Sequence, residues 1–406
     1  MNRFIAIVLL VLFGLTFFTS LASASFPFLS YVDELLSIFI FGVVLVGGRV
    51  KRAHFRILTL LSVFWVYVFL NSAFSPYYRG IFMTALDLCL FSKPILIYIG
   101  LMNIPGDVIN KTGRRLLPVM YFYLLLGFIL YFVNIFIPMF PVGDMRFGIN
   151  SYSFISNNPG EFANLVFAAG IFVYSLSHRS GVLFFSIWLM TFLSLASLRS
   201  KAIVLTAIYL LMIAARRIGL TRWTTVNISG THAIRYPRIK TSTLLVILPV
   251  GLALGANQFI KYFLSEMTPR LYLITNSLTV AKQFFPFGAG AGTYGSAVSK
   301  IQYSKLYYDL GFAGWGLSET DGRFLSDNFW PMVLAQYGVI GMVVIITIYI
   351  MIVRNLVQCW PTDYRRRVGA FMILANLILS TLGSAVIIGY IGTILIFVLV
   401  FLLRKA

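Results

Sequence analysis

The chain has 406 residues, of which 59% are hydrophobic and 11% charged, and its mean hydropathy is +0.90. Soluble domains carry about 25% charged residues, so this composition excludes a soluble fold, and the lack of period-2 alternation excludes a membrane β-barrel. The net charge of +20 does not mark a nucleic-acid binder, because Lys and Arg sit in short loops rather than in a basic stripe interleaved with stacking aromatics.

Apolar runs near the ~20 residues that cross a bilayer recur throughout. The sequence therefore predicts an all-α polytopic membrane protein: a single transmembrane domain over 1–406 with about twelve transmembrane helices. Residues 1–25 hold one early charge (Arg3), an apolar run and Ala22-Ser23-Ala24. They read as an uncleaved first helix in preference to a cleaved signal peptide. The second span covers about 31–46, followed by a basic loop with Arg49, Lys51, Arg52, His54 and Arg56. The third and fourth spans cover about 57–73 and 81–102. Asp87 and Lys93 lie within the fourth and are expected to face the bundle interior, since ionised groups are costly in lipid. A second basic loop (Lys111, Arg114, Arg115) precedes the fifth span, about 117–136.

A loop over 138–161 carries Asp144-Met145-Arg146-Phe147-Gly148 and Asn157-Asn158-Pro159-Gly160-Glu161, rich in turn formers. Spans six to eight cover about 162–176, 182–195 and 202–215. The short outer turn between the last two holds Arg199 and Lys201. The longest basic loop runs from Arg216 to Lys240, and the ninth span covers 243–263. Residues 265–328 form a 64-residue loop, the one long run that is neither apolar nor crowded with cytoplasmic-type charge. The tenth span covers about 329–353. The last apolar run, 368–403, is too long for one helix and is expected to break at Gly383-Ser384 or Gly389. Most of the 32 Lys and Arg fall in loops of one parity, which marks that side, with both termini, as cytoplasmic. The 265–328 loop is then periplasmic.

Cys89 lies in an apolar run and Cys359 in a loop assigned to the cytoplasm, so the two are not expected to pair. His54, His178 and His232 also fall in loops assigned to that side, which leaves no zinc-type ligand spacing and no metal or other cofactor expected.

The candidate chemistry lies outside. Arg146, Arg199 and Arg270 offer planar forks suited to phosphate, and several such groups together suit a diphosphate; for Arg199 alone, snorkelling to the interface is an equal reading. Lys201 lies beside Arg199. Gly290-Ala291-Gly292-Thr293-Tyr294-Gly295 matches a dinucleotide-binding pattern literally but follows no strand of a βαβ unit. Gly288 and Gly290 more plausibly allow a tight turn, with close approach of a ligand as the functional alternative. Asp309, Glu319, Asp321 and Asp327 are the later carboxylates of the loop, most of them expected to be solvated. Asp327, abutting the tenth span beside Asn328, is best placed to act as a general base at headgroup depth. Outer aromatics such as Tyr294, Tyr307 and Trp330 suit either an interfacial belt or sugar stacking.

Arg199 after a Ser-rich span end, Arg270 after Thr268-Pro269, Phe285-Pro286-Phe287-Gly288-Ala289-Gly290, and Asp327-Asn328-Phe329-Trp330 followed by Gln336-Tyr337-Gly338-Val339-Ile340-Gly341 resemble the O-antigen polymerase and ligase superfamily. That family comprises Wzy-type polysaccharide polymerases and WaaL-type ligases, and the motifs occupy about 144–341. The resemblance implies a GT-C-like inner-membrane glycosyltransferase, metal-independent and inverting, with a glycan on undecaprenyl diphosphate as donor. It implies diphosphate binding by Arg199 and Arg270, with Arg146 a weaker candidate, and a chain-length regulator as a possible partner. Ligases carry a His just before the Asn that ends the large loop. This chain has Asp327 there, which favours a polymerase.

Overall fold

The computed structural model describes residues 2–19, 29, 31–47, 50–140, 144–146, 148–156, 158–217, 221–228, 232–239, 268–312, 314 and 316–404. The expected ninth span, 243–263, and the first residues of the large loop lie outside them. In chain order the helices are α1 (Asn2–Phe17), α2 (Val32–Gly47), α3 (Arg52–Phe74), α4 (Ile81–Asn103), α5 (Gly106–Phe136), α6 (Pro159–Leu176), α7 (Ser180–Ala196) and α8 (Ser200–Arg217). After the large gap come α9 (Pro269–Gln283), α10 (Ala297–Ile301), α11 (Lys305–Asp309), α12 (Phe329–Gln358), α13 (Tyr364–Gly383) and α14 (Tyr390–Leu403). Two short antiparallel hairpins complete the described residues: β1 (Met145–Arg146) with β2 (Ile149–Asn150), and β3 (Thr221–Ile228) with β4 (His232–Ile239).

Six of these helices, α3, α4, α5, α6, α12 and α13, are long and apolar enough to cross a membrane, and α1, α7 and α14 are shorter apolar helices. The chain is an all-α multi-pass membrane protein. The bundle is built around α14, which is apolar on every side and buried over all but its first residue. A helix of that kind belongs in the middle of other helices, and α14 packs against α1, α4, α6 and α13. Small residues let the backbones close: Gly369 of α13 meets Ser175 and Ile171 of α6, and Gly170 of α6 meets Met190 of α7.

Two expectations are corrected on the cytoplasmic-assigned side. Lys111, Arg114 and Arg115 lie within α5 rather than in a loop. At 31 residues this helix is about 46 Å long, well beyond the ~30 Å hydrocarbon core, so its basic turns project past the lipid. His54 and Arg56 likewise lie in α3, and His54 is buried, its Nδ1 2.8 Å from Asn103 Nδ2. Part of the basic loop from Arg216 to Lys240 is the β3–β4 hairpin. The final apolar run breaks at both expected places: α13 ends at Gly383 and α14 starts after Gly389.

The large loop is not irregular. Thr268-Pro269 starts α9: the threonine hydroxyl accepts from Leu271 N at 3.3 Å, and proline takes the first helical position. The segment after α9 then lies against a break in α12. At Gly338 the helix leaves its path (φ 64°, ψ −168°), and the backbone of the loop supplies partners there. Val339 N donates to Pro286 O at 3.0 Å, Ala289 N to Ala335 O at 2.8 Å and Gly290 N to Gln336 O at 2.9 Å. The buried Gln336 side chain accepts from Gly292 N at 2.9 Å and donates to Tyr294 O. From α3, Tyr67 donates to both Phe287 O and Tyr337 O, and Ser72 Oγ accepts from Ala291 N. Beyond the seam, Tyr294, Tyr307 and Phe312 form a small apolar core with Leu273, Leu306 and Leu325, the Tyr307 and Phe312 rings stacked at 4.8 Å.

Gly288 and Gly338 face each other across this seam at positive φ, and a Cβ on either would overlap the other's backbone. Gly338→Ala is therefore expected to cost roughly 3 kcal/mol or more. It should show as a lowered melting temperature in detergent and early proteolysis within residues 285–295. An unchanged melt would mean that the seam does not hold the loop.

Candidate functional site

One cavity of about 1220 Å³ gathers side chains from the segments leading into α6, α8, α9 and α12 and from the helix bundle. Four helices of 14 to 18 residues begin on it: α6 at Asn158–Glu161, α8 at Arg199–Lys201, α9 at Thr268–Arg270 and α14 at Gly389–Ile391. Helix starts carry partial positive charge, which favours an anion. Two are capped within the chain, α6 by Asn158 accepting from Glu161 N and α9 by Thr268. The irregular linker between α13 and α14 also lines the cavity, at Ser384, Ala385, Val386 and Ile388. Non-helical backbone at this position fits the rule that such backbone is tolerated in membranes where it borders a cavity.

The fold holds each cation differently. Arg199 and Arg146 flank one carboxylate: Asp144 Oδ2 is 3.1 Å from Arg199 Nη2 and 3.7 Å from Arg146 Nη2. Arg146 is also tied to the turn before α8, donating to Leu198 O at 3.4 Å. Arg270, on the first turn of α9, pairs with Asp327 at 3.4 Å. Asn328 is buried, and its side-chain amide donates to Arg270 O at 3.1 Å, so it fixes the backbone that carries this arginine. Burial pushes the Asp327 carboxyl above the usual carboxylate range, against the opposing pull of Arg270 and then Lys300. Lys201, on the first turn of α8, donates to Asn164 Oδ1 at 3.1 Å and to Ser380 Oγ at 2.8 Å. Glu161 accepts from Tyr390 OH at 2.7 Å.

The cavity continues inward to Glu34, Asp87 and Lys93. Lys93 is buried and holds two carboxylates, Asp33 at 2.5 Å and Glu34 at 2.8 Å. It lies twelve residues into α4, about 18 Å along a helix about 34 Å long, so the charge is near the middle of the span. Asp87, also buried, accepts from Tyr337 OH at 2.9 Å. Both residues face the bundle interior, with separate partners.

The structure thus brings five of the sequence-selected residues, Arg146, Arg199, Lys201, Arg270 and Asp327, onto one cavity. Asn328 sits just behind it. Gly288 and Gly290 are placed elsewhere: they belong to the seam with α12, where backbone of the protein itself approaches them. Of the other described loop carboxylates, Asp309 accepts from Tyr77 in the segment between α3 and α4, Glu319 accepts from Tyr308, and Asp321 pairs with Arg323. Sequence reading did not select Glu34, Asn164, Ser380 or the 384–389 linker. Asn164 and Ser380 did carry a signal, as polar residues inside apolar runs. Among the described residues no group of three or more His, Cys, Asp or Glu side chains is placed to hold a metal ion.

Comparison of the chain with protein-family models and with characterised proteins finds no match.

Removing one partner from a buried ion pair costs about 3–5 kcal/mol. Lys93→Met is therefore expected to lower thermal stability by that order, because it strands Asp33 and Glu34, whereas Arg323→Ala, at an exposed pair, leaves the melting temperature unchanged. Thermal denaturation in detergent with an intrinsic-fluorescence readout compares the two.

Proposed function

We propose that this protein is an inner-membrane polymerase of a bacterial surface polysaccharide, such as O-antigen, capsule or exopolysaccharide. It transfers the growing glycan from undecaprenyl diphosphate to a lipid-linked repeat unit. The observation that carries this reading is the convergence of Arg146, Arg199, Lys201 and Arg270 with Asp327 on one cavity. The proposal includes about twelve spans in a GT-C-like arrangement, cytoplasmic termini and a periplasmic 265–328 loop.

In this reading the arginines hold the diphosphate. The acceptor hydroxyl attacks the anomeric carbon, the bond from that carbon to the diphosphate oxygen breaks, and the configuration inverts. Negative charge grows on the leaving diphosphate, so guanidinium groups fixed around it stabilise the transition state. Asp327 takes the hydroxyl proton. Its ion pair with Arg270 gives the two residues a shared role: when the diphosphate engages Arg270, the carboxylate loses its partner and becomes a better base. A ligase passing glycan to lipid A-core uses the same donor chemistry. The Asp in place of the ligase His favours the polymerase.

Arg270→Ala is expected to abolish polymer and leave single lipid-linked repeat units on a gel of the surface glycan. Wild-type chain lengths in that variant would refute the assignment, and long polymer stranded on the carrier would turn it to the ligase.

The pH dependence has a defined sign. A base must be deprotonated, and the Asp327 carboxyl sits above the ordinary range. The rate of polymer formation should therefore rise with pH through a midpoint higher than that of a solvated carboxylate. Lys300→Gln removes a cation that holds this group down, so it should move the midpoint further up. A midpoint that stays put, followed with purified protein in liposomes, would take the base role from Asp327.

One observation favours a second reading, a flippase for lipid-linked oligosaccharide: the Lys93, Asp33 and Glu34 cluster lies near mid-span on the same cavity, and a midplane ionic site suits a transporter. Liposomes with a fluorescent lipid-linked glycan separate translocation from glycosyl transfer.

A further inference from the structure

The cations of the cavity differ in one respect. Arg146 and Arg199 face Asp144, Arg270 faces Asp327, Lys93 faces Asp33 and Glu34, and Arg323 faces Asp321. Among the described residues, Lys201 has only neutral partners, the Asn164 amide oxygen and the Ser380 hydroxyl. Those partners are buried and fixed. Asn164 Nδ2 donates to Gly160 O at 2.9 Å, which turns its oxygen toward Lys201, and the same oxygen accepts from buried Asn376 at 3.1 Å. Ser380 Oγ donates to Asn376 O at 2.6 Å and so presents a lone pair to the ammonium. Two of the three ammonium N–H donors are thereby used. Lys201, Asn164 and Ser380 all line the cavity.

A charge held by neutral dipoles, without a counter-ion, is costly away from bulk water. A structural lysine joining three helices would be better served by a carboxylate at the Asn164 position. We infer that Lys201, with Asn164 and Ser380, is an oxyanion subsite of the cavity, the ligand bringing the counter-charge that no described residue supplies. This rests on the glycan-transfer reading for the nature of that ligand. The oxyanion is either a phosphate of the polyprenyl diphosphate or the carboxylate of an acidic sugar in the repeat unit. The subsite is set apart from the arginines because it binds without first displacing a carboxylate of the protein.

The test uses the full chain in nanodiscs and two probes, geranylgeranyl diphosphate and glucuronate, with binding measured by calorimetry. Lys201→Gln removes the charge. Asn164→Asp keeps it but sets a carboxylate against it, and as a new ion pair this variant is expected to fold. Both variants should weaken one probe by about tenfold or more, the scale of one charge-assisted hydrogen bond, and Lys201→Arg should restore most of the affinity. Weakening of the diphosphate assigns the subsite to the lipid phosphate, and weakening of glucuronate assigns it to an acidic sugar. If the wild-type protein binds a probe and Asn164→Asp binds it equally well, the subsite is refuted while the glycan-transfer reading stands. If the wild-type protein binds neither probe, both fall.

Discussion

A peptide group in hydrocarbon must find its hydrogen-bond partner within the protein. That constraint shapes the seam between the large loop and α12. Residues 286–292 run alongside the helices, and they do so because α12 opens at Gly338 and offers its carbonyl and amide groups to them. Gln336, Tyr67 and Ser72 satisfy most of what the two backbones leave over. The seam fixes the end of α9, and α9 packed along α12 places Arg270 opposite Asp327. The position of Arg270 thus follows from a main-chain contact, and Asn328 adds a second hold on the same backbone.

The second organising fact is electrostatic. Among the described residues six cationic side chains line the cavity, and the fold brings carboxylates to five of them. Asp144 comes from the β1–β2 side, Asp327 from the end of the large loop, and Asp33 and Glu34 from the start of α2. Desolvated charge left alone would be costly, so pairing allows a polar chamber to exist inside an apolar bundle. The exception, Lys201, is held by the Asn164 amide oxygen on α6 and the Ser380 hydroxyl on α13.

Sequence reading and structure agree where one physical signal dominates. The apolar runs locate the described membrane helices, because length and hydropathy are read directly from composition. Some helix starts were misplaced, since Lys111 or Arg56 looks the same in a loop as on the first turns of a helix. Arg146, Arg199 and Arg270 of the cavity were legible as planar forks suited to phosphate, in segments assigned to one side. Their shared partner was not: nothing local says that Asp144 sits between Arg146 and Arg199, which lie 53 residues apart in sequence. Gly288 shows the same limit. Its turn-forming character was visible, but its partner, Gly338, is 50 residues away, so a contact between two backbones was open to being read as room for a ligand. Lys93 was rightly turned inward, while its pairing with α2 depends on helix order that hydropathy does not contain.

The counter-charges borne by Asp144 and Asp327 carry a consequence for exchange at the chamber. An anion arriving at these arginines does not meet bare positive charge; it replaces an ion already there. Such a swap keeps the interior close to electroneutral before, during and after occupancy. The grip on any guest is then set by the difference between two similar attractions, and departure is assisted by the returning carboxylate. A chamber built this way suits repeated capture and discharge better than permanent retention.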